Sequence, residues 1–233
     1  MESYILTFET VLLLLESTAN FPSVGLLNKE GDLVWHKVSD IERSHAEMLP
    51  VFANEALQFI KEKQENLSAV AVNKGPGSYT GLRIATSLAK GICLGSDVPL
   101  IGVDGLAGLS SFQLQAFPNL SLSVSMLDAR RDEVYAIKQY RGQSPTEAQP
   151  VILSENIWNE DQNETVGFIG NASEKAENLL GWSPVIRTKG PDVKQWASLA
   201  FDMWQNKQYE SVAYFEPNYI KAYQPGVSEK FKL

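Results

Sequence analysis

Residues 69–94 read AVAVNKGPGSYTGLRIATSLAKGICL, and their order decides the fold. Ala69-Val70-Ala71-Val72 is a short apolar run of strand character. Lys74 to Gly81 (KGPGSYTG) supplies three glycines and a proline, the chemistry of a tight turn, and an amphipathic helix is expected to run on to about Leu94. Strand, glycine turn and helix in that order are the start of a βαβ unit. Along the helix Gly81, Ala85 and Ala89 lie four apart, a small-residue stripe open to close approach by a neighbouring backbone, while Leu82, Ile84, Leu88 and Ile92 supply bulk. Val98–Val103 is the next expected strand.

Upstream, VLLLLE (residues 11–16) is a continuously apolar strand that ends in a carboxylate and the polar Ser17-Thr18-Ala19-Asn20. Strands over Ser23–Asn28 and Leu33–Val38, joined by Glu30-Gly31-Asp32, complete a meander. Ser44 is the expected N-cap of a helix over His45–Lys63, with Glu47 as its capping-box partner. Met48, Leu49, Phe52, Ala53, Ala56, Leu57, Phe59 and Ile60 cover about half the girth of that helix. The second half of that face serves either its own domain or another subunit. Downstream, strands are expected over Leu122–Leu127, Glu133–Tyr140 and Thr165–Ile169, with a weaker run at Val151-Ile152-Leu153. Helices are expected over Ser173–Leu180 and Asp192–Asn206, and Ser110–Asn119 reads as a looser stretch. The division expected is residues 1–108 for a first lobe and 109–233 for a second, with about 211–233 packing back on the first.

Composition excludes several function classes. The chain has 233 residues and a net charge of −8, with no cluster of four or more Lys/Arg, so it lacks the footprint of an autonomous nucleic-acid binder. One cysteine, Cys93, can form neither an internal disulfide nor a thiolate zinc site, which fits a reducing, cytoplasmic setting. His36 and His45 stand nine apart, so no HExxH or HxxxH pair exists and a zinc peptidase is excluded. The longest apolar run is too short for a membrane span, and acidic Glu2 and Glu9 stand where a signal peptide is basic, so a soluble, unexported chain is expected.

Candidate chemistry is sparse. Gly75, Gly77 and Gly81 are spaced GxGxxxG, and Leu82-Arg83 follow where a P-loop has Lys and a hydroxyl. The turn is therefore either a phosphate cradle at a helix N-terminus or a close helix-to-strand contact. Glu16 with Ser17 and Thr18 is either a phosphate-loop or metal-water acid or a strand cap. Arg130 and Arg131 either contact an anion or form a salt-bridged turn with Asp128, Asp132 and Glu133. His45 has no acid at a recognisable spacing and reads as a helix-start or interface residue rather than a base.

Five segments together carry a resemblance: LLLLESTANFPSVGLL (12–27), SHAEMLP (44–50), NKGPGSYTGLRIATSLAKGI (73–92), DARRDEVYA (128–136) and EPNYIKAY (216–223). In this order they resemble the TsaB (YeaZ) family across nearly the whole chain. The resemblance implies an α/β, two-lobed actin/Hsp70-like (ASKHA) fold, each lobe a mixed sheet with helices. It implies a non-catalytic subunit that binds the transferase TsaD, with TsaE, for making N6-threonylcarbamoyladenosine beside the anticodon of tRNA. The tRNA is met only through the complex. The chain alone is expected to homodimerise and to hold no metal and no cofactor of its own, with ATP or ADP at the interface shared with TsaD. Expected partner residues are His45, Met48, Leu49, Phe52, Ala56, Gly81, Leu82, Ala85, Leu88 and Ala89. The candidate phosphate loop is Glu16, Ser17, Thr18, Gly75, Gly77 and Ser78, and the candidate anion contacts are Arg83, Arg130 and Arg131. The alternative is a stand-alone ATPase or phosphotransferase of the same fold. Met1 to Thr10 stand before the first strand as an extension relative to the family, and Glu16 stands where the family often has Asp.

Overall fold

The computed structural model describes residues 10–154, 157–161, 163–180, 188 and 190–220. Most of the amino-terminal extension, and Lys221–Tyr223 of the terminal motif, lie outside the described residues.

Strands β1 (Thr10–Glu16), β2 (Ser23–Leu27) and β3 (Leu33–Val38) form an antiparallel meander. Helix α1 (His45–Lys63) crosses to β4 (Asn66–Asn73), parallel to β1, and α2 (Tyr79–Ser96) crosses to β5 (Leu100–Val103), parallel to β4. The sheet order is β3-β2-β1-β4-β5. Alternation along β1 explains its unbroken apolar run. Val11, Leu13 and Leu15 pack against Leu49 and Phe52 of α1 and Ala85 and Ala89 of α2. Leu12 and Leu14 point to the opposite face, against Trp196 and Ala200 of helix α5 (Val193–Gln205). A strand covered on both faces has no polar side.

The second sheet repeats the plan. After α3 (Gly105–Ala116), strands β6 (Leu122–Asp128), β7 (Glu133–Tyr140) and β8 (Gln149–Ile152) form a meander, and β9 (Val166–Ile169) pairs parallel to β6, in the order β8-β7-β6-β9. Helix α4 (Ser173–Leu180) follows β9. The result is the expected mixed α/β architecture with two mixed sheets.

Two expectations are corrected. The stretch Ser110–Asn119, expected to be loose, is mostly helix α3, capped by the Asp104 carboxylate, which accepts from Ala107 N–H at 3.1 Å. Its inward face is half polar, which hides the helical period. Ser110 bonds Ser123 and Ser125, and Gln113 donates to Phe168 O at 3.0 Å while accepting from Ser123 at 2.6 Å. Ser44 does sit at the N-cap of α1, but without a capping box. Its hydroxyl instead donates to Ile41 O at 2.7 Å and pairs with Ser39 Oγ.

Candidate functional site

Parallel strands leave their C-terminal ends and the following loops on one side of the sheet, where open α/β sheets build their sites. Glu16 stands there at the end of β1, fully buried, and both its oxygens are engaged. Oε1 accepts from the backbone N–H and the hydroxyl of Thr18, each at 2.6 Å. Oε2 accepts from Asn73 Nδ2 at 2.6 Å and from Trp196 Nε1 at 2.8 Å. Asn73 ends β4, and its own Oδ1 accepts from Gly75 N–H at 3.0 Å and Gly105 N–H at 3.2 Å. One carboxylate and one amide thus tie together the loops after β1, β4 and β5 and the first turn of α5. Burial pushes the Glu16 carboxyl above its ordinary pKa, and the bonds from Asn73, Thr18 and Trp196 oppose that rise. Four donors match the lone-pair capacity of a carboxylate.

The glycine turn packs directly on the β1 loop. A Cβ at Gly77 would lie 2.5 Å from Thr18 O, and one at Gly81 would lie 1.9 Å from Ser17 O. Only glycine permits that approach. Ser78 N–H donates to Thr18 O at 2.8 Å, and Gly81 N–H donates to Ser78 Oγ at 3.3 Å, which caps α2. These N–H groups, which a phosphate would need, are used within the chain. Ala19, next along the β1 loop, packs with Leu106, Leu109, Leu127, Ile137 and Ile169, an apolar cluster joining the two sheets. Glu16, Ser17, Thr18, Gly75, Gly77 and Ser78 are therefore brought together, as an interlocked pair of loops rather than an open cradle.

The ten residues named as a partner surface fall mainly inside. His45, Leu49, Phe52, Ala56, Gly81, Leu82, Ala85 and Ala89 are buried, and only Met48 and Leu88 are half-buried. The stripe of Gly81, Ala85 and Ala89 faces the chain's own core. The outward faces of the same helices carry Val51, half exposed, and Leu94, 75% exposed, beside Gly91 and Gly95, where an added Cβ would meet nothing within 4 Å. His45 Nδ1 is buried without a hydrogen-bond partner among the described residues, and burial holds the imidazole below its ordinary pKa.

The arginines do not converge on the glycine turn. Arg83 is exposed on α2, its guanidinium 4.8 Å from the Tyr79 ring, and Tyr79 lies 5.0 Å from the Tyr219 ring. Arg130 and Arg131 occupy the exposed β6–β7 turn, both in the left-handed region at φ of 75° and 50°. The partner of Asp128 is Lys175, at 2.8 Å, and Lys175 also donates to Arg131 O, so the ion pair of this turn is made from α4 rather than by the arginines. Among the described residues no group of three His, Cys, Asp or Glu is placed to hold a metal. No helix among the described residues is long and apolar enough to cross a membrane. Asn73 and Trp196 are functional neighbours of Glu16 that sequence pattern does not single out. Asn73 stands beside the glycine turn, but nothing local marks Trp196, which lies 180 residues from the carboxylate it meets.

Comparisons with known proteins agree with this architecture. Residues 39–153 match the family model described as TsaD, tRNA N6-adenosine threonylcarbamoyltransferase. The tRNA threonylcarbamoyladenosine biosynthesis protein TsaB of Bacillus subtilis is 26% identical over 215 residues, covering 88% of this chain and 91% of that protein. The TsaB of Escherichia coli is 26% identical over 139 residues, 60% of this chain and 55% of that protein. The solved structure of YeaZ from Pseudomonas aeruginosa superposes with a TM-score of 0.72 at 24% identity, over 90% of this chain and 99% of that one. The chain thus shares the fold of YeaZ from Pseudomonas aeruginosa and is similar to the TsaB of Bacillus subtilis along most of both chains.

Proposed function

We propose that this chain acts in tRNA threonylcarbamoyladenosine biosynthesis as a non-catalytic subunit that docks a TsaD transferase, with TsaE joining the pair. The observation that supports this best is the interlock of the β1 loop with the glycine turn. The carboxylate and N–H groups that phosphoryl chemistry would need are spent on Thr18, Asn73, Trp196 and Ser78. In this reading the clamp holds α2 at a fixed height over the sheet and so presents the outward faces of α1 and α2 to the partner. The end of α2 is then the docking face, where Gly91 and Gly95 allow close helix approach and Leu94 supplies apolar area, with exposed Val51 on α1. The same face pairs two copies of the chain when TsaD is absent, the site of action is the cytoplasm, and tRNA is met only through the complex. The chain holds no cofactor of its own, and ATP or ADP belongs at the interface shared with TsaD.

The experiment mixes the purified chain with TsaD and measures complex mass by light scattering, then ATP turnover and tRNA modification with each component omitted. The expected result is a heterodimer, no turnover by the chain alone, and modification only by the full mixture. ATP turnover by the chain alone, abolished in Glu16→Gln with thermal unfolding unchanged, would instead support the stand-alone ATPase reading. Leu94→Glu is expected to weaken TsaD binding at least roughly tenfold while leaving stability within about 0.5 kcal/mol.

A further inference from the structure

Beyond α5 the chain returns along the outer edge of the first sheet as a strap with three anchors. Glu210 N–H donates to Leu100 O at 2.8 Å and makes an antiparallel bridge with the edge strand β5. Phe215 is buried over Gly102, where a Cβ would stand 2.6 Å from its ring. Asn218 N–H donates to Lys74 O at 2.7 Å. Beside these anchors lies a groove of about 440 Å³ lined by Lys74, Glu210, Tyr214, Phe215, Glu216 and Asn218.

The lining selects by charge. Neither Glu210 nor Glu216 has an ion-pair partner among the described residues. The one cation, Lys74, acts on buried Asp104, whose carboxyl it helps hold down against the rise caused by burial and alongside the bond from Ala107 N–H. The lining as a whole carries two carboxylates and one ammonium, one net negative charge, beside two aromatic residues, one of which, Tyr214, is 88% exposed. An anion would be repelled, and an apolar ligand would desolvate the carboxylates without pairing them. A guanidinium or ammonium satisfies both features, by charge-assisted hydrogen bonds to the carboxylates and by contact with an aromatic face. Arginine suits it better than lysine, because its planar fork can bond a carboxylate while stacking on a ring.

We propose that the strap groove is a subsite for a basic side chain, arginine by preference, carried by a partner protein. The strap that builds the groove is tied to α2 at two points. Lys90 Nζ donates to Ala213 O at 3.3 Å, and the Tyr219 ring lies 5.0 Å from the Tyr79 ring, tilted by 41°, at the first turn of α2. The basic side chain therefore comes from the TsaD that docks on the neighbouring helices. Its origin rests on the function proposed above, whereas the chemistry of the groove does not.

The test measures TsaD binding to the full chain by calorimetry at about 50 and about 300 mM salt. The Glu210→Gln/Glu216→Gln double variant keeps side-chain shape, and its thermal unfolding is expected to match that of the wild type. It should bind TsaD about tenfold more weakly at low salt and lose most of the salt dependence, with Tyr214→Ala weakening binding by a smaller factor. Wild-type affinity in the double variant at both salts, with Leu94→Glu still disruptive, overturns the groove and leaves the docking face standing. Should the wild-type chain not bind TsaD, the docking reading fails and N-acetyl-arginine amide decides the groove alone. Saturable NMR shifts at Tyr214 that vanish in the double variant and with N-acetyl-leucine amide uphold it, and their absence in the wild type overturns it.

Discussion

Trp196, in the first turns of α5, donates its indole N–H to Glu16 Oε2 at 2.8 Å, so the last of the described helices is hydrogen-bonded to the end of the first described strand. Both residues are fully buried, and neither has water as an alternative partner. Removing the carboxylate by Glu16→Ala leaves donors of Thr18, Asn73 and Trp196 stranded, at about 1–3 kcal/mol for each buried orphan, without simple additivity. Chemical unfolding is expected to show a loss of about 3 kcal/mol or more. A loss below about 0.5 kcal/mol would mean the clamp is not structural.

The same carboxylate sets a pH dependence. Its folded-state pKa is raised above the ordinary 4.5 by burial. A group raised in the folded state binds its proton more tightly there than in the unfolded chain. Its contribution is fully present below the unfolded value and is lost as pH rises through the folded one. Glu16→Gln cannot ionise, so the stability of the wild type relative to this variant should decline from about pH 4.5 upward. A difference that stays constant between about pH 4 and 8 counts against the assignment.

Two glycines of α2 make a matched pair. Gly81→Ala forces a Cβ to within 1.9 Å of Ser17 O, a backbone atom that cannot turn aside, and should cost about 3 kcal/mol or more. Gly91→Ala meets nothing within 4 Å and should stabilise the chain by roughly 0.5–1 kcal/mol. Thermal unfolding should shift in opposite directions for the two. If the proposed docking face is real, Gly91→Ala should also weaken TsaD binding despite its higher melting temperature.

Asp192 caps α5 by accepting from Lys194 N–H at 3.1 Å, with Gln195 Oε1 accepting from Asp192 N–H at 2.9 Å, and it also pairs with His36 Nε2 at 2.8 Å. Loss of the cap in Asp192→Ala should cost about 1–2 kcal/mol. A double-mutant cycle with His36→Ala should return a further coupling of roughly 0.5 kcal/mol or more. Strict additivity of the two single changes would show the contact to be idle.

Cys93 is buried, and burial pushes its thiol up to about 11. At pH 8 only about one molecule in a thousand then carries a thiolate. Ellman's reagent should react with the native chain at least a hundredfold more slowly than with the denatured one, and comparable rates would contradict the burial.

Local pattern made much of this molecule readable. The bounds of α1, of β3 and of β7 follow from apolar spacing and turn residues, and the unbroken run in β1 announces a strand covered on both faces. Periodicity also shows that Gly81, Ala85 and Ala89 share one side of α2, but a shared side has no address. Packing turned that side toward β1 and β4, because the sheet beneath α2 offers the nearest apolar surface, and left Leu94 and Gly91 outward. Helix α3 escaped notice because its inward positions Ser110 and Gln113 are polar, paired with Ser123 and Ser125 of β6 only once the sheet is built. The meaning of Glu16 was likewise decided in three dimensions. An acid at a strand end reads the same whether it faces a ligand or a clamp, and the donors that make it a clamp arrive from Asn73 and Trp196, far along the chain. Contacts of that sequence separation leave no local trace, so tertiary packing alone brought Asn73 and Trp196 onto the Glu16 carboxylate.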